Sequence, residues 1–258
     1  VAESIAAQLR VEHLTMAYGD RIIQRDLNFE VSSGERFIIM GGSGCGKSTL
    51  LKHLIGLNAP AHGQVFLGDQ DLWAVSDETR LALCRRFGVL YQSGALWSSM
   101  SLAQNIGMPI AQYTGLPKSD VDELVELKLA LVGLAGFGHY LPSEISGGMK
   151  KRAGLARAMA LDPEILFLDE PSAGLDPLSS KLLDDLILEL NESLGTTFVI
   201  VTHELASIFA IGTRAIFLDA NTKTQLELGD PVNLARHAQH AVVREFLNRG
   251  QPMETSRA

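Results

Sequence analysis

Phe37-Ile38-Ile39-Met40-Gly41-Gly42-Ser43-Gly44-Cys45-Gly46-Lys47-Ser48 is the stretch on which the fold turns. Four apolar residues in a row, close behind the turn Ser32-Ser33-Gly34, suit a strand buried on both faces. Helical spacing follows through Leu57. Between strand and helix, Gly41 to Ser48 fits G-x-x-x-x-G-K-[ST], in the setting that this motif requires. Its glycines let backbone N–H groups turn inward around phosphates at a helix N-terminus that already favours anions. Lys47 adds a point charge to the same phosphates, and the Ser48 hydroxyl is a magnesium ligand. A glycine-rich turn with a chance lysine would lack this context.

Moving outward, alternation at Leu9 and Val11 and over Arg21 to Phe29 reads as β structure at the N-terminal end, with a turn at Tyr18-Gly19-Asp20. Further strands are expected at Gln64 to Leu67 and Phe87 to Tyr91. From about Ser98 to Ala160 the spacing is helical: Val121, Leu124, Val125, Leu129 and Val132 share a face, and Pro117-Lys118-Ser119 offers the start. Strands return at Ile165 to Leu168, Thr197 to Val201 and Ala215 to Leu218. Between the first two, Leu182, Leu183, Leu186, Ile187 and Leu190 outline an amphipathic helix, capped by Asp176 with Pro177 as its first residue. The pattern is therefore an α/β core with a helical lobe inserted into it.

Composition agrees with that. A chain of 258 residues, 46% hydrophobic and 20% charged, suits a packed core and one large α/β domain. The net charge of -8 weighs against a nucleic-acid partner, which would need a basic face. Cys45 and Cys84 cannot form a disulfide framework and read as reduced thiols. No stretch reaches the ~18 apolar residues that span a bilayer. Val1 to Arg10 lacks the pattern of a signal peptide, and the residues from Gln251 read as a frayed tail.

Ile165-Leu166-Phe167-Leu168-Asp169-Glu170 is an apolar strand ending in two carboxylates. Alone it is weak; paired with the phosphate loop, it assigns Asp169 to magnesium and its waters and Glu170 to polarising an attacking water. Ser146-Gly147-Gly148, at an expected helix start, is a second anion site by the same physics as the first.

Ile145-Ser146-Gly147-Gly148-Met149 matches the ABC ATPase signature Leu-Ser-Gly-Gly-Gln in its central three residues, and the chain resembles that family over about Leu9 to Arg249. The resemblance implies a P-loop NTPase fold with an N-terminal antiparallel β subdomain, a RecA-like parallel-sheet core and an inserted helical subdomain. One ABC ATPase domain over 8–250 is expected. Its nucleotide-binding core would take 8–97 and 156–225, its helical subdomain 98–155, and a C-terminal helix and tail 226–258. ATP and Mg2+ are the implied cofactors.

The resemblance also implies the roles. Catalysis falls to Glu170, His203 and Lys47. Nucleotide contacts fall to Tyr18 (under adenine), Gly41, Gly42, Ser43, Gly44, Cys45, Gly46, Lys47, Ser48, Thr49 and Gln92, and to Ser146, Gly147 and Gly148 acting across a homodimer. Metal contacts fall to Ser48, Gln92 and Asp169. Ser172-Ala173-Gly174-Leu175-Asp176 resembles the loop that couples the two sites.

The wording of Gln92-Ser93-Gly94-Ala95-Leu96-Trp97, of Glu170-Pro171-Ser172-Ala173-Gly174-Leu175-Asp176-Pro177 and of Thr202-His203-Glu204-Leu205, with Met149, is similar to one branch. Those ATPases work with MCE-domain proteins, including the maintenance-of-lipid-asymmetry (Mla) systems of Gram-negative bacteria. That implies phospholipid movement between inner and outer membranes, and a location on the cytoplasmic face of the inner membrane. The implied partners are permease subunits docked near Gln92 to Trp97, an MCE-domain protein, and in Mla systems a small STAS-domain protein on the helical lobe. The segment Val242 to Arg249 resembles the branch's C-terminal end, which reaches the opposite protomer. An importer ATPase for amino acids or ions shares every catalytic motif and is the alternative. A non-transport ABC ATPase would carry coiled coils, zinc modules or tandem domains, none of which the sequence displays.

Overall fold

The apolar run ahead of the phosphate loop forms β3 (Arg36–Gly41), in which Phe37, Ile38, Ile39 and Met40 are wholly buried. The computed structural model describes residues 7–249 of the chain; the expected tail from Gln251 lies outside them. β3 sits inside a six-stranded sheet ordered β10-β9-β3-β8-β7-β6. The other strands are β6 (Phe87–Leu90), β7 (Ile165–Asp169), β8 (Thr197–Val201), β9 (Arg214–Asp219) and β10 (Thr224–Gly229). All neighbours run parallel except β10, which pairs antiparallel with β9.

Because successive strand residues face opposite sides, each central strand feeds two cores. Ile38, Met40, Leu166, Leu168, Phe198, Ile200, Ala215 and Phe217 face one. Phe37, Ile39, Ile165, Phe167, Val199, Val201, Ile216 and Leu218 face the other. Burying such a side chain contributes roughly 1.5–3 kcal/mol, which offsets a backbone ordering cost of about 1–2 kcal/mol per residue. Strands of this kind hold the sheet rigid where the loops leave its C-terminal edge.

The second core is closed by a four-stranded antiparallel sheet, ordered β2-β1-β4-β5, and by α1 (Lys47–Leu54), whose Leu50, Leu51 and Leu54 are buried in it. Its strands are β1 (Ala7–Tyr18), β2 (Arg21–Ser32), β4 (His62–Leu67) and the short β5 (Gln70–Asp71). α2 (Asp77–Cys84), capped by Ser76, leads from this sheet to β6.

The first core extends into the helical lobe: α3 (Leu102–Tyr113), α4 (Lys118–Leu131), a 3-10 turn (Pro142–Glu144) and α5 (Gly147–Ala158). Ser101 and Gln104 form a capping box at α3. The expected face of α4 is buried at Val121, Val125 and Leu129, with Leu124 packed against it. Buried Lys128 reaches across from α4 to Asp162.

α6 (Pro177–Leu194) starts as expected, with Asp176 accepting from the Leu178 and Ser179 N–H groups. Its buried stripe runs through Leu183, Leu186, Ile187 and Leu190, while Leu182 is exposed on the flank. α7 (Leu205–Ile211) follows β8. Beyond β9 the sequence expectation of one C-terminal helix gives way to β10 and two helices, α8 (Pro231–His237) and α9 (Ala241–Leu247). Asp230 caps α8, with Pro231 at its first turn, and the chain turns again at residues 238–240 before α9.

Candidate active site

The phosphate loop leaves β3 at Gly41, whose φ is 149°. A Cβ there would lie 2.4 Å from the Leu218 carbonyl oxygen and 2.7 Å from Cys45 Sγ, so only glycine lets the loop pass so close to β9. Gly46 caps α1 with φ 101°, and a Cβ would meet Ile23 Cγ2 at 2.7 Å. The loop is stitched from outside as well. Buried Gln24 of β2 donates through Nε2 to the Cys45 carbonyl at 2.7 Å and to the Asp219 carbonyl at 2.9 Å. Its fold is therefore fixed by neighbours on both sheets.

A cavity of about 520 Å³ opens over this loop, a volume in the range of small-molecule sites. Gly41, Gly42, Ser43, Gly44, Gly46, Lys47, Ser48, Thr49, Gln92, Glu170 and His203 all line it. Cys45 turns its thiol inward, nearly fully buried, and burial pushes that thiol up from its ordinary value. The Lys47 ammonium donates to the Gly41 and Gly42 carbonyls at 3.0 and 3.2 Å, which holds its charge at the loop's mouth.

Asp169 ends β7 and accepts from the Ser48 hydroxyl at 3.2 Å. Burial raises its carboxyl from the ordinary value, the Ser48 hydrogen bond opposes that, and the Glu170 charge adds to it. Glu170, next in the chain, takes a left-handed φ of 47°, a conformation that costs a non-glycine residue on the order of 1–3 kcal/mol. Its N–H donates to the Val201 carbonyl at 2.8 Å. The turn brings Glu170 Oε1 to 2.8 Å from His203 Nδ1. Glu170 Oε2 is buried without a protein partner, an unsatisfied acceptor of the kind expected where a reacting group is aimed.

A hard divalent cation fits this donor set. Ser48 and Asp169 supply adjacent oxygen donors at the loop, and Gln92 lines both this cavity and a second one lined by Asp169 and Gly174. Among the described residues no group of three or more His, Cys, Asp or Glu side chains could cage a metal. Mg2+ prefers one or two protein oxygens and takes its remaining ligands from phosphates and water, and the Ser48–Asp169 pair supplies that number.

Four of the sequence-expected site residues, Tyr18, Ser146, Gly147 and Gly148, stand outside this cavity. Ser146 caps α5, its hydroxyl accepting from the Met149 N–H at 3.2 Å. Gly147 and Gly148 sit against Leu175 and Ser179, away from the phosphate loop's cavity. Met149 packs its thioether side against the first core. Tyr18 is 53% exposed, and its hydroxyl accepts from the Asn58 amide at 3.2 Å; Ile23 lines the cavity where Tyr18 does not.

Other residues emerge only in three dimensions. Phe246 and Arg249 of the C-terminal segment line the cavity, with Phe246 stacked edge-on against Phe217 of β9. Lys151, buried in α5, reaches the backbone of Gln92 and Glu170. Burial lowers its ammonium from the ordinary value, while Asp169 and Glu170 oppose that. Neither contact follows a local periodicity, so neither was legible in the sequence.

Among the described residues no helix is long and apolar enough to cross a membrane. Residues 24–173 match the ABC transporter family. The chain is 40% identical over 210 residues, 81% of its length and 80% of the relative's, to the intermembrane phospholipid transport system ATP-binding protein MlaF of Haemophilus influenzae. It is 38% identical over 244 residues to the probable ribonucleotide transport ATP-binding protein mkl of Mycobacterium tuberculosis, covering 95% of this chain and 67% of that one. Among solved structures it is similar to a component of the cbiONQ ABC transporter complex of Clostridium perfringens, with TM-score 0.80 and 27% identity over 88% of this chain and 89% of that one. It is also similar to an ATP-binding cassette solved as a dimer in a post-hydrolysis state with ADP and phosphate, with TM-score 0.76 and 27% identity over 86% of this chain and 98% of that one.

Proposed function

The chain belongs to the ABC transporter family and is an ATP-hydrolysing subunit, and from that premise we propose that it works as a homodimer driving phospholipid transport at a membrane. The observation that carries the chemistry is the convergence of Lys47, Ser48, Glu170 and His203 on one cavity, with Asp169 joined to it through the Ser48 hydroxyl.

In this reading the loop amides and Lys47 hold the β- and γ-phosphates of ATP, with Tyr18 against the adenine. Ser48, Asp169 and Gln92 would hold Mg2+, which when bound neutralises charge between the β- and γ-phosphates. Glu170 polarises the attacking water through its free Oε2. His203, bonded to Oε1 through Nδ1, fixes the carboxylate and presents its other ring nitrogen to the γ-phosphate. Phosphoryl transfer needs mainly positioning and charge stabilisation, and these side chains supply both. The N-terminus of α5, with Ser146, Gly147 and Gly148, closes over the γ-phosphate bound by the other protomer. ATP binding therefore assembles two sites from four halves.

Closure would push a permease through helices seated beside Gln92 to Trp97. Trp97 is 55% exposed there, and its turn is held by buried Asn105, whose amide donates to the Trp97, Met100 and Ser101 carbonyls. The proposed location is the cytoplasmic face of an inner membrane, with an MCE-domain protein and a small STAS-domain protein as further partners. The phospholipid cargo is carried over from the relative of that name. Isolating the native complex and identifying its proteins and bound lipid by mass spectrometry tests the proposal. A permease, an MCE-domain protein and stoichiometric phospholipid are expected; a solute-binding protein without lipid would replace the cargo assignment.

A further inference from the structure

Lys151 lies on α5 between the two regions that the proposed cycle must connect. Its side chain is buried to 6% exposure, and its ammonium donates to two backbone carbonyls. One is that of Gln92, at 2.5 Å, and the other that of Glu170, at 3.2 Å. A buried ammonium is costly unless it is hydrogen-bonded, and these two carbonyls are the acceptors that offset the cost.

The placement matters because of what each carbonyl belongs to. Glu170 holds a left-handed backbone that an L-residue adopts only under constraint. Its N–H is fixed by Val201, and its C=O is fixed by Lys151. These two bonds flank the Cα from which the carboxylate is aimed toward His203. Gln92 opens a loop that rides on α5 at two further points. A Cβ on Gly154 would lie 2.9 Å from the Gly94 carbonyl oxygen, and Arg157 donates to the carbonyl of Ala95, itself left-handed at φ 50°. Of these contacts, only Lys151 touches both the 92–95 loop and the turn that bears Glu170.

We propose that Lys151 is a positioning residue for ATP hydrolysis, tying the helix that starts at Ser146 to the backbone of both Gln92 and Glu170. A displacement of α5 is thereby delivered to the water-polarising carboxylate. A long cation with several donors on a flexible stem is the side chain suited to bridging two carbonyls. The inference rests on the assignment of Glu170 to hydrolysis.

The test is steady-state ATPase kinetics and ATP binding on the full chain with Lys151→Met and Lys151→Gln. Methionine keeps an apolar stem but removes every donor, whereas the shorter glutamine amide retains donors for one carbonyl. The expected order of kcat is wild type, then Gln, then Met. The Met variant should fall by about 10²-fold, the scale of a misplaced catalytic group, with KM and ATP affinity held within about twofold. A merely structural lysine would move KM together with kcat, or neither. Wild-type kcat in Lys151→Met, or in Lys151→Gln should the Met variant not fold, overturns the inference; so does a loss confined to KM. Glu170→Gln is measured alongside. Normal turnover there overturns the assignment of Glu170, while abolished turnover there with normal Lys151→Met overturns the tie alone.

Discussion

Replacing Glu170 with glutamine removes one negative charge and one basic oxygen while leaving shape almost unchanged. Glutamine Oε1 can still accept from His203 Nδ1 at the 2.8 Å position, and the left-handed backbone is held by the same Val201 and Lys151 contacts. The substituted NH2 takes the place of Oε2, which is buried without a protein partner. An unpaired buried polar group costs about 1–3 kcal/mol whether it is an oxygen or an amide, so the net change in folding stability is small. Catalysis is another matter, because an amide cannot take up a proton from water. General-base assistance contributes about 10²–10⁴-fold, or roughly 2.7–5.4 kcal/mol of barrier at 1.36 kcal/mol per decade. Phosphate release at saturating ATP should fall by that factor, while equilibrium ATP binding stays within about twofold. ATP without turnover should then accumulate the closed dimer, read by size-exclusion chromatography. A kcat within threefold of wild type would refute the assignment, and so would a parallel loss of ATP affinity.

The exposed aromatic proposed to stack on adenine gives a second prediction. Tyr18→Ala should weaken ATP binding by about tenfold, since stacking on a base is worth roughly 1–3 kcal/mol, with Tyr18→Trp retaining it; calorimetric titration reads both. Stability should barely change, because Tyr18 is half exposed. A third prediction concerns pH. Burial lifts the carboxyl of Asp184 above its ordinary value, against the opposing bond from Ser207, so the folded state binds that proton more tightly than the unfolded chain. Its contribution is full below the unfolded value of about 3.9 and is lost as pH rises through the raised folded value. Asp184→Asn should therefore lose less Tm than wild type between about pH 4 and 7; parallel curves would contradict this.

How much could be seen beforehand depended on range. The strand-loop-helix around Gly41 to Ser48 and the alternation that sends Phe37 and Ile38 to opposite cores are local patterns, and so is the Asp176-Pro177 helix start. Each appears where local spacing places it, except that the helix expected to run through Leu57 ends at Leu54. Leu182 counts toward the α6 periodicity because a leucine one position from the stripe looks the same in a periodic count; the structure leaves it 53% exposed. The edge strand β10 has no fully buried residue, so it lacks the apolar run that marks β7 or β8. At the site, the side chains that do the proposed chemistry were legible through their motifs. Those that hold them were not. Gln24 bonds carbonyls 21 and 195 positions away, and Lys151 bonds one 59 positions back. No spacing rule connects such pairs, because the sheet brings them together only after folding.

The separation of Ser146 from the phosphate loop's cavity leads to the central claim, that each complete site is built from two copies of the chain. Mixing Lys47→Ala chains with Ser146→Arg chains tests it most directly. Each variant alone is expected to be inactive, since every site in its homodimer lacks one half. In the purified heterodimer one site combines an intact loop from one chain with an intact Ser146-Gly147-Gly148 from the other, and ATPase activity should return. A verified heterodimer that hydrolyses no ATP, or a Ser146→Arg homodimer that turns over normally, would contradict the shared site.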